Sequence, residues 1–241
     1  MFFNQGKYNS MHKKIGIIGG LSPESTVSYY LHLTRSYVAR FGDYGYPEIL
    51  IYSVNLKTFH QLRAENRWDA IAEELCRAAR ALETAGADFA LIATNTMHKV
   101  FAAVSRAAPL PLLSIIETTA RRARKLGLTR LGLLGTSYTM DDGFYHQAMA
   151  EFDIAIKTPP HADQGELHRI IVEELVQGQL RESSRHTYQK AISSLQQAGA
   201  QGVILGCTEI PLLVAPADAA LPLLDTAWIH AEAALEMAIQ P

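Results

Sequence analysis

The sequence predicts an α/β protein of two pseudo-symmetric lobes, each with a mainly parallel sheet flanked by helices and with an active site in the cleft between them. Two observations predict it. Short β-branched apolar runs alternate with longer segments of helical period, the pattern of βαβ units. The chain also repeats itself, a feature to be sought before any motif. ALETAGADFALIATNT, ending at Thr96, matches SLQQAGAQGVILGCTE, ending at Glu209, when Gly86 is laid on Gly199. Each copy is a helix, an Ala-Gly-Ala turn, an apolar strand and a polar tip, and the alignment sets Thr94 on Cys207. A second pairing sets Gly16-Ile17-Ile18-Gly19-Gly20 against Gly132-Leu133-Leu134-Gly135-Thr136. Ligands of such sheets bind outside the carboxyl ends of the strands, so the tips of both lobes are expected to face one cleft.

Composition narrows the partners. Hydrophobic residues make up 48% of the 241 and charged residues 19%, enough for a sizeable core. A formal charge of −2 supplies neither the basic field that nucleic acid needs nor an acidic tail. The longest apolar runs are strand-sized, so no membrane span is expected, and MFFNQGKYNS lacks the pattern of a secretory leader. A cytoplasmic location and a small-molecule partner follow. The segment before Met11 reads as an extension or an upstream alternative start. Cys76 and Cys207 are too few for a disulfide framework or a structural zinc site and are read as individual thiols.

In chain order, the first strand is expected at Lys14 to Ile18. The tip Gly19-Gly20-Leu21-Ser22-Pro23-Glu24 follows, with Ser22 suited to N-cap and Pro23 to the first helical position. A helix N-terminus there, with Leu21 bordering the cleft, suits a carboxylate or phosphate. No G-x-G-x-x-G is present, which disfavours a dinucleotide. The second strand, Ile49 to Val54, precedes Arg63. In the helix from Trp68 to Thr84, Ile71, Leu75, Ala79 and Leu82 form one stripe, and Gly86 ends it; Cys76 beside the stripe reads as packing. Strands follow at Phe89 to Ala93, Leu112 to Ile115, Arg130 to Leu134, Ile154 to Lys157, Gly202 to Leu205 and Pro222 to Leu224.

Thr94-Asn95-Thr96-Met97-His98 and Gly206-Cys207-Thr208-Glu209 occupy the matching tips. An isolated cysteine after a strand is ordinarily a small buried hydrophobe. Here the repeat argues otherwise, and backbone N–H groups with a following helix start are expected to lower the Cys207 pKa from ~8.5. Glu209 is placed to polarise a neighbouring threonine or meet a substrate ammonium, and His98 to brace the site structurally from one turn further on.

These residues resemble the aspartate/glutamate racemases. The resemblance spans Ile15 to Ala231 and is carried by IGIIGGLSPEST, ATNTMHK, LGTSYTM, GCTEI and LPLLDTAWIHAEAA. It implies a two-lobed enzyme that needs neither pyridoxal phosphate nor metal and moves an α-proton between opposed sulfur groups, one on each tip. The first-lobe position here is Thr94, as in a branch active on acidic amino acids. A hydroxyl does not ionise appreciably near neutral pH, so Thr94 can relay or return a proton but cannot mirror a thiolate as base. By the family's geometry Cys207 faces the α-proton of the L-enantiomer.

The resemblance further implies that Asn95, Thr96 and Thr208 hold the α-carboxylate and amino group. For the side-chain carboxylate the sequence offers Arg63, and Thr136 with Thr139 in the second glycine tip. Many aspartate racemases carry a lysine before a glycine where this chain has Leu175-Val176-Gln177-Gly178, which adds interest to Arg63. Residues 1–115 completed by 224–241 are expected to form the first lobe, 116–223 the second, and the assembly a homodimer. Two alternatives stay open: a cysteine-dependent decarboxylase or maleate-type isomerase on the same scaffold, and an amino-acid-binding protein that lost activity with the first cysteine.

Overall fold

All eight apolar runs form strands in the computed structural model, which describes residues 12–240. The segment before Met11, expected as an extension, lies outside them. In the first half, β1 (Ile15–Gly19) leads to α1 (Pro23–Phe41), β2 (Ile49–Ser53), α2 (Leu56–Ala64), α3 (Trp68–Thr84) and β3 (Phe89–Ile92). A 3-10 turn (Thr96–Val100), α4 (Phe101–Ala107) and β4 (Leu112–Leu113) complete it. The second half runs α5 (Ile115–Lys125), β5 (Arg130–Leu134), α6 (Ser137–Asp141), α7 (Phe144–Ala150), β6 (Ala155–Lys157) and α8 (His161–Glu173). It closes with α9 (Glu182–Gln197), β7 (Gly202–Leu205), α10 (Ile210–Leu213), β8 (Leu223–Asp225) and α11 (Thr226–Ile239).

Two wholly parallel four-stranded sheets result, ordered β2-β1-β3-β4 and β6-β5-β7-β8. The identical order is the repeat made visible. In each sheet the winding reverses between the two central strands, β1 with β3 and β5 with β7, and a crevice opens at the carboxyl end of such a reversal. The tips singled out by the repeat are the tips of these four strands.

Each sheet is covered on both faces, which is why its central strands are almost continuously apolar. Tyr29 and Leu33 of α1, with Ala231 and Leu235 of α11, cover one face of the first sheet; Ile71, Leu75 and Ala79 of α3 cover the other. Cys76 packs in that second layer, 7% exposed. In the second sheet Ala120 of α5 and Tyr145 and Met149 of α7 oppose Ile170 of α8 and Tyr188 and Leu195 of α9. These apolar faces are the main stabilising term, at roughly 25 cal/mol per Å² removed from water.

At one end or both, most strands shift by a residue or two from the sequence expectation, and two of the shifts have a visible cause. The fourth strand stops at Leu113 because Ser114 caps α5, accepting from the Glu117 N–H at 3.3 Å. The last strand runs to Asp225, so the expected lobe switch at residue 224 falls inside β8, which pairs with β7. Asp225 then caps α11 through the Trp228 N–H at 3.1 Å, and α11 crosses back over the first sheet.

Candidate active site

Tight turns bring the four tips together. Gly20 has φ +77°, and a Cβ there would stand 2.5 Å from the Val54 carbonyl oxygen, so only glycine serves. Above the tips lies a cavity of about 180 Å³, at the small end for ligand sites. Leu21, Arg63, Thr94, Asn95 and Thr96 line it from the first half, and Thr136, Cys207, Thr208 and Glu209 from the second. Thr139 does not reach it. That side chain is fully buried, packed beneath Gly135 and Gly206, with its hydroxyl 3.3 Å from that of Thr136.

At the second tip the Cys207 thiol donates to Glu209 Oε2 at 2.9 Å, and the Thr208 hydroxyl donates to the same oxygen at 2.8 Å. Glu209 is 3% exposed. Its other oxygen, Oε1, accepts from the Ser22 hydroxyl across the cleft at 2.8 Å, and the Ser25 and Thr208 hydroxyls are bonded to each other. The expected lowering of the Cys207 pKa is overturned. Burial pushes the thiol well above its ordinary value, and Glu209 pushes it further through its charge and by accepting the thiol's hydrogen bond. Backbone donation from Glu209 and Thr208 does favour the thiolate, as the sequence suggested, but it is outweighed. The helix that follows, α10, is only four residues long. Cys207 is therefore a protonated thiol with a proton acceptor in contact.

The first tip is built differently. His98 Nε2 accepts from the Ile115 N–H at 3.0 Å, which places the proton on Nδ1, and Nδ1 donates to the Thr94 carbonyl at 2.8 Å. Burial lowers the His98 pKa to about 4, so the ring is a neutral brace between the β3 tip and α5. The Asn95 side chain is also committed: its amide donates to Thr226 Oγ1 at 2.9 Å, and its oxygen accepts from the Tyr145 hydroxyl at 3.2 Å. For a ligand Asn95 keeps its backbone N–H. Thr94 and Thr96 are half-buried.

Arg63 crosses the mouth of the cavity, its guanidinium carbon 4.4 Å from the centroid of the Tyr138 ring. Among the described residues it has no carboxylate partner within salt-bridge distance. His60, one turn earlier on α2, and His168 of α8 stand in the same lining. Both imidazoles are pushed down, first by burial and then by the charge of Arg63. Arg63 thus stands on an aromatic face beside two imidazoles whose charged forms are disfavoured. Sequence reasoning missed His60, Tyr138 and His168, and it missed the contact of Ser22 and Ser25 with the second tip. Only the His60–Arg63 spacing, one turn of a helix, was a usable signal.

Among the described residues no cluster of three or more His, Cys, Asp or Glu side chains is arranged to hold a metal, and no helix is long and apolar enough to cross a membrane. Two sheets of identical order, with paired strand-tip crevices and a thiol at one of them, form the two-lobed fold shared with racemases of known structure. The sequence profile of Asp/Glu/hydantoin racemases matches residues 18–234, and the chain belongs to that family. A Yersinia pestis structure described provisionally as an Asp/Glu racemase superimposes with TM-score 0.89 at 42% identity, covering 95% of this chain and 100% of that one. An aspartate racemase homologue from Pyrococcus horikoshii OT3 gives TM-score 0.85 at 39% identity, with coverage of 95% and 100%. The broad specificity amino-acid racemase of Bacillus subtilis (strain 168) is 21% identical over 88% of this chain and 92% of its own length. The protein is accordingly an enzyme of the amino-acid racemase class.

Proposed function

We propose that the protein interconverts the enantiomers of an acidic amino acid, aspartate or glutamate, without a cofactor, using Cys207 as the base on one face and reprotonation from the Thr94 side on the other. The observation that carries this reading is Arg63, which has no carboxylate partner among the described residues, in the lining of a small cavity that also holds a thiol hydrogen-bonded to a carboxylate. The Arg63 cation pairs with the side-chain carboxylate of the substrate. Backbone N–H groups of Asn95, Thr96 and Thr208 take the α-carboxylate. Glu209 accepts the thiol proton at Oε2, and the resulting thiolate removes the α-proton of the L-enantiomer. Thr94, or a water held by it, protonates the opposite face of the carbanion. Turnover closes when Glu209 gives its proton back to water and water restores the Thr94 side. The raised thiol pKa makes the first transfer to Glu209 uphill and makes the thiolate, once formed, a stronger base toward the α-proton.

The reading includes a cytoplasmic location and a homodimer, the second of which sedimentation of the purified chain checks. It also includes a first lobe of residues 1–115 completed by the C-terminal helix, with the switch expected at 224 moved to the end of β8. Incubation with L- and D-aspartate, L- and D-glutamate and an arylmalonate in deuterium oxide tests the chemistry. The expected result is α-deuteration and inversion of at least one acidic amino acid. Decarboxylation of the malonate, or binding of amino acids without any α-exchange, would replace this reading with one of its rivals.

A further inference from the structure

The sequence offers the helix start after β1 as a place for a substrate anion, yet its two serines, although they line the cavity, engage the second half of the chain with their hydroxyls. Ser22 caps α1, accepting from the Ser25 N–H at 3.3 Å, while its own hydroxyl proton goes across the cleft to Glu209 Oε1. Ser25, one turn on and 2% exposed, is bonded to the Thr208 hydroxyl. Proton counting fixes the direction of that bond. The single Thr208 hydroxyl proton goes to Glu209 Oε2, so Ser25 must be the donor to Thr208 Oγ1. A directed chain results: Ser25 to Thr208, Thr208 to Glu209 Oε2, with Cys207 donating to the same oxygen and Ser22 to the other. All three donors to the buried carboxylate are side chains, and one of them belongs to the opposite lobe.

We propose that Ser22 and Ser25 are positioning residues that hold Glu209 aimed at the Cys207 thiol, so that the proton acceptor is in place only when the α1 end of the first lobe is closed on the second. Separation of the lobes breaks both serine contacts together. Glu209 then loses the donor that fixes its rotation, and Thr208 loses the one that orients its hydroxyl. With the lobes closed, the carboxylate has one orientation, and Oε2 faces the sulfur. This coupling makes proton transfer wait for a filled, closed cleft. Neither serine touches substrate in this scheme; both act through Glu209. The inference rests on the racemase reading of the same site.

The test is Ser22→Gly, which removes the hydroxyl but keeps most of the N-cap, since glycine at a helix start costs much less than alanine does. Exchange of the α-proton is measured with whichever of L-aspartate and L-glutamate the wild type exchanges. The expected result is a kcat about tenfold lower with KM within about twofold of wild type, the signature of an interaction lost in the chemical step rather than in binding. Ser22→Thr, which restores the hydroxyl at a half-exposed position, is expected to recover kcat to within about twofold. In a Glu209→Gln background the Ser22→Gly change should add little further loss, because its route of action is already cut. An unchanged kcat in Ser22→Gly, an equal loss in Ser22→Thr, or full additivity with Glu209→Gln overturns the positioning role. In those cases a Cys207→Ser protein that has lost exchange leaves the racemase reading standing. A wild type inert toward both amino acids overturns that reading, and this inference with it.

Discussion

The tips of β3 and β7 occupy equivalent places in two sheets of identical order, and they have diverged in kind. Around Cys207 the polar groups converge on Glu209, a carboxylate that accepts from the thiol and from two hydroxyls. Around Thr94 they form braces: His98 ties the tip to α5, and Asn95 ties it to Thr226 and Tyr145. The position that aligns with Glu209 is Thr96, so the first tip has no carboxylate in that place. A duplicated backbone preserves where groups stand, while acid–base chemistry depends on one or two side chains beside them. Frame symmetry therefore coexists with one-sided chemistry.

The harshest way to break the comparison is to remove the sulfur. Cys207→Ser should lower α-proton exchange roughly 10²–10⁴-fold, the scale of a positioned acid–base group. The fold should persist, since the change is nearly isosteric and the site lies at a cleft. Cys76→Ser is the control: it places a hydroxyl in an apolar layer and should cost stability but little activity. Near-normal exchange in Cys207→Ser would remove the distinction between the tips.

The mouth of the cavity comes next. Arg63→Leu should weaken aspartate and glutamate by about 2–3 kcal/mol, the scale of a charge-assisted hydrogen bond, and neutral amino acids by much less. Expressed as KM, that is roughly 30–150-fold. Unaltered KM for the acidic substrates would show that the stack on Tyr138 is only a surface contact between lobes.

The fold was legible in this sequence because alternation of apolar runs and helical stripes survives without knowledge of distant contacts. The repeat gave away the four tips for the same reason, as each lies next to its own strand. Site features made across the cleft were not legible. Ser22 and Glu209 are far apart in the chain, and so are Arg63 and Tyr138, and no local pattern records either pair. The error on the Cys207 pKa has this origin too. Donors adjacent in the chain are visible in the sequence, but neither the burial of the sulfur nor the turn that brings the Glu209 carboxylate onto it is. Thr139 fails for a similar reason, since whether a tip residue faces the cavity or the layer beneath it depends on how α6 packs.

If the first tip is structural, its histidine should register in stability. His98 is held neutral with a pKa of about 4, and His230, which accepts from Tyr29 at 2.8 Å, is lowered to about 3, both by burial first. The unfolded chain binds these protons near pH 6.5 and the folded chain does not. Between about pH 6.5 and 4 the unfolded state thus holds more protons, and stability rises with pH there. The two groups contribute fully above pH 6.5, and their contribution is lost as pH falls toward the folded values. The limiting slope is about 1.4 kcal/mol per pH unit for each histidine. Urea unfolding at pH 5 and 7 checks this, and equal midpoints would show that neither ring is held neutral.

The smallest expected effect, and the finest test of the two-tip comparison, comes from giving the first tip a sulfur. Thr94 lies at the place that aligns with Cys207, but it lacks a partner carboxylate and does not ionise near neutral pH. With L-substrate, Cys207 removes the proton and the Thr94 side returns one, so exchange and inversion should both be seen. With D-substrate the proton points toward Thr94, and removal should be slower. Microscopic reversibility limits how this can show. The equilibrium constant between enantiomers is one, so the ratio of the two kcat/KM values is fixed, and asymmetry can enter only kcat and KM separately or exchange without inversion. Thr94→Cys should raise D-side exchange by a modest factor, since the new thiol has Thr96 rather than a glutamate two residues on and no acceptor comparable to Glu209. Thr94→Cys combined with Thr96→Glu should raise it further if a carboxylate beside the sulfur is what distinguishes the tips. Equal exchange from both enantiomers in the wild type, with no gain in either variant, would mean that the threonine tip is as competent as the cysteine tip and that the comparison has been drawn in the wrong place.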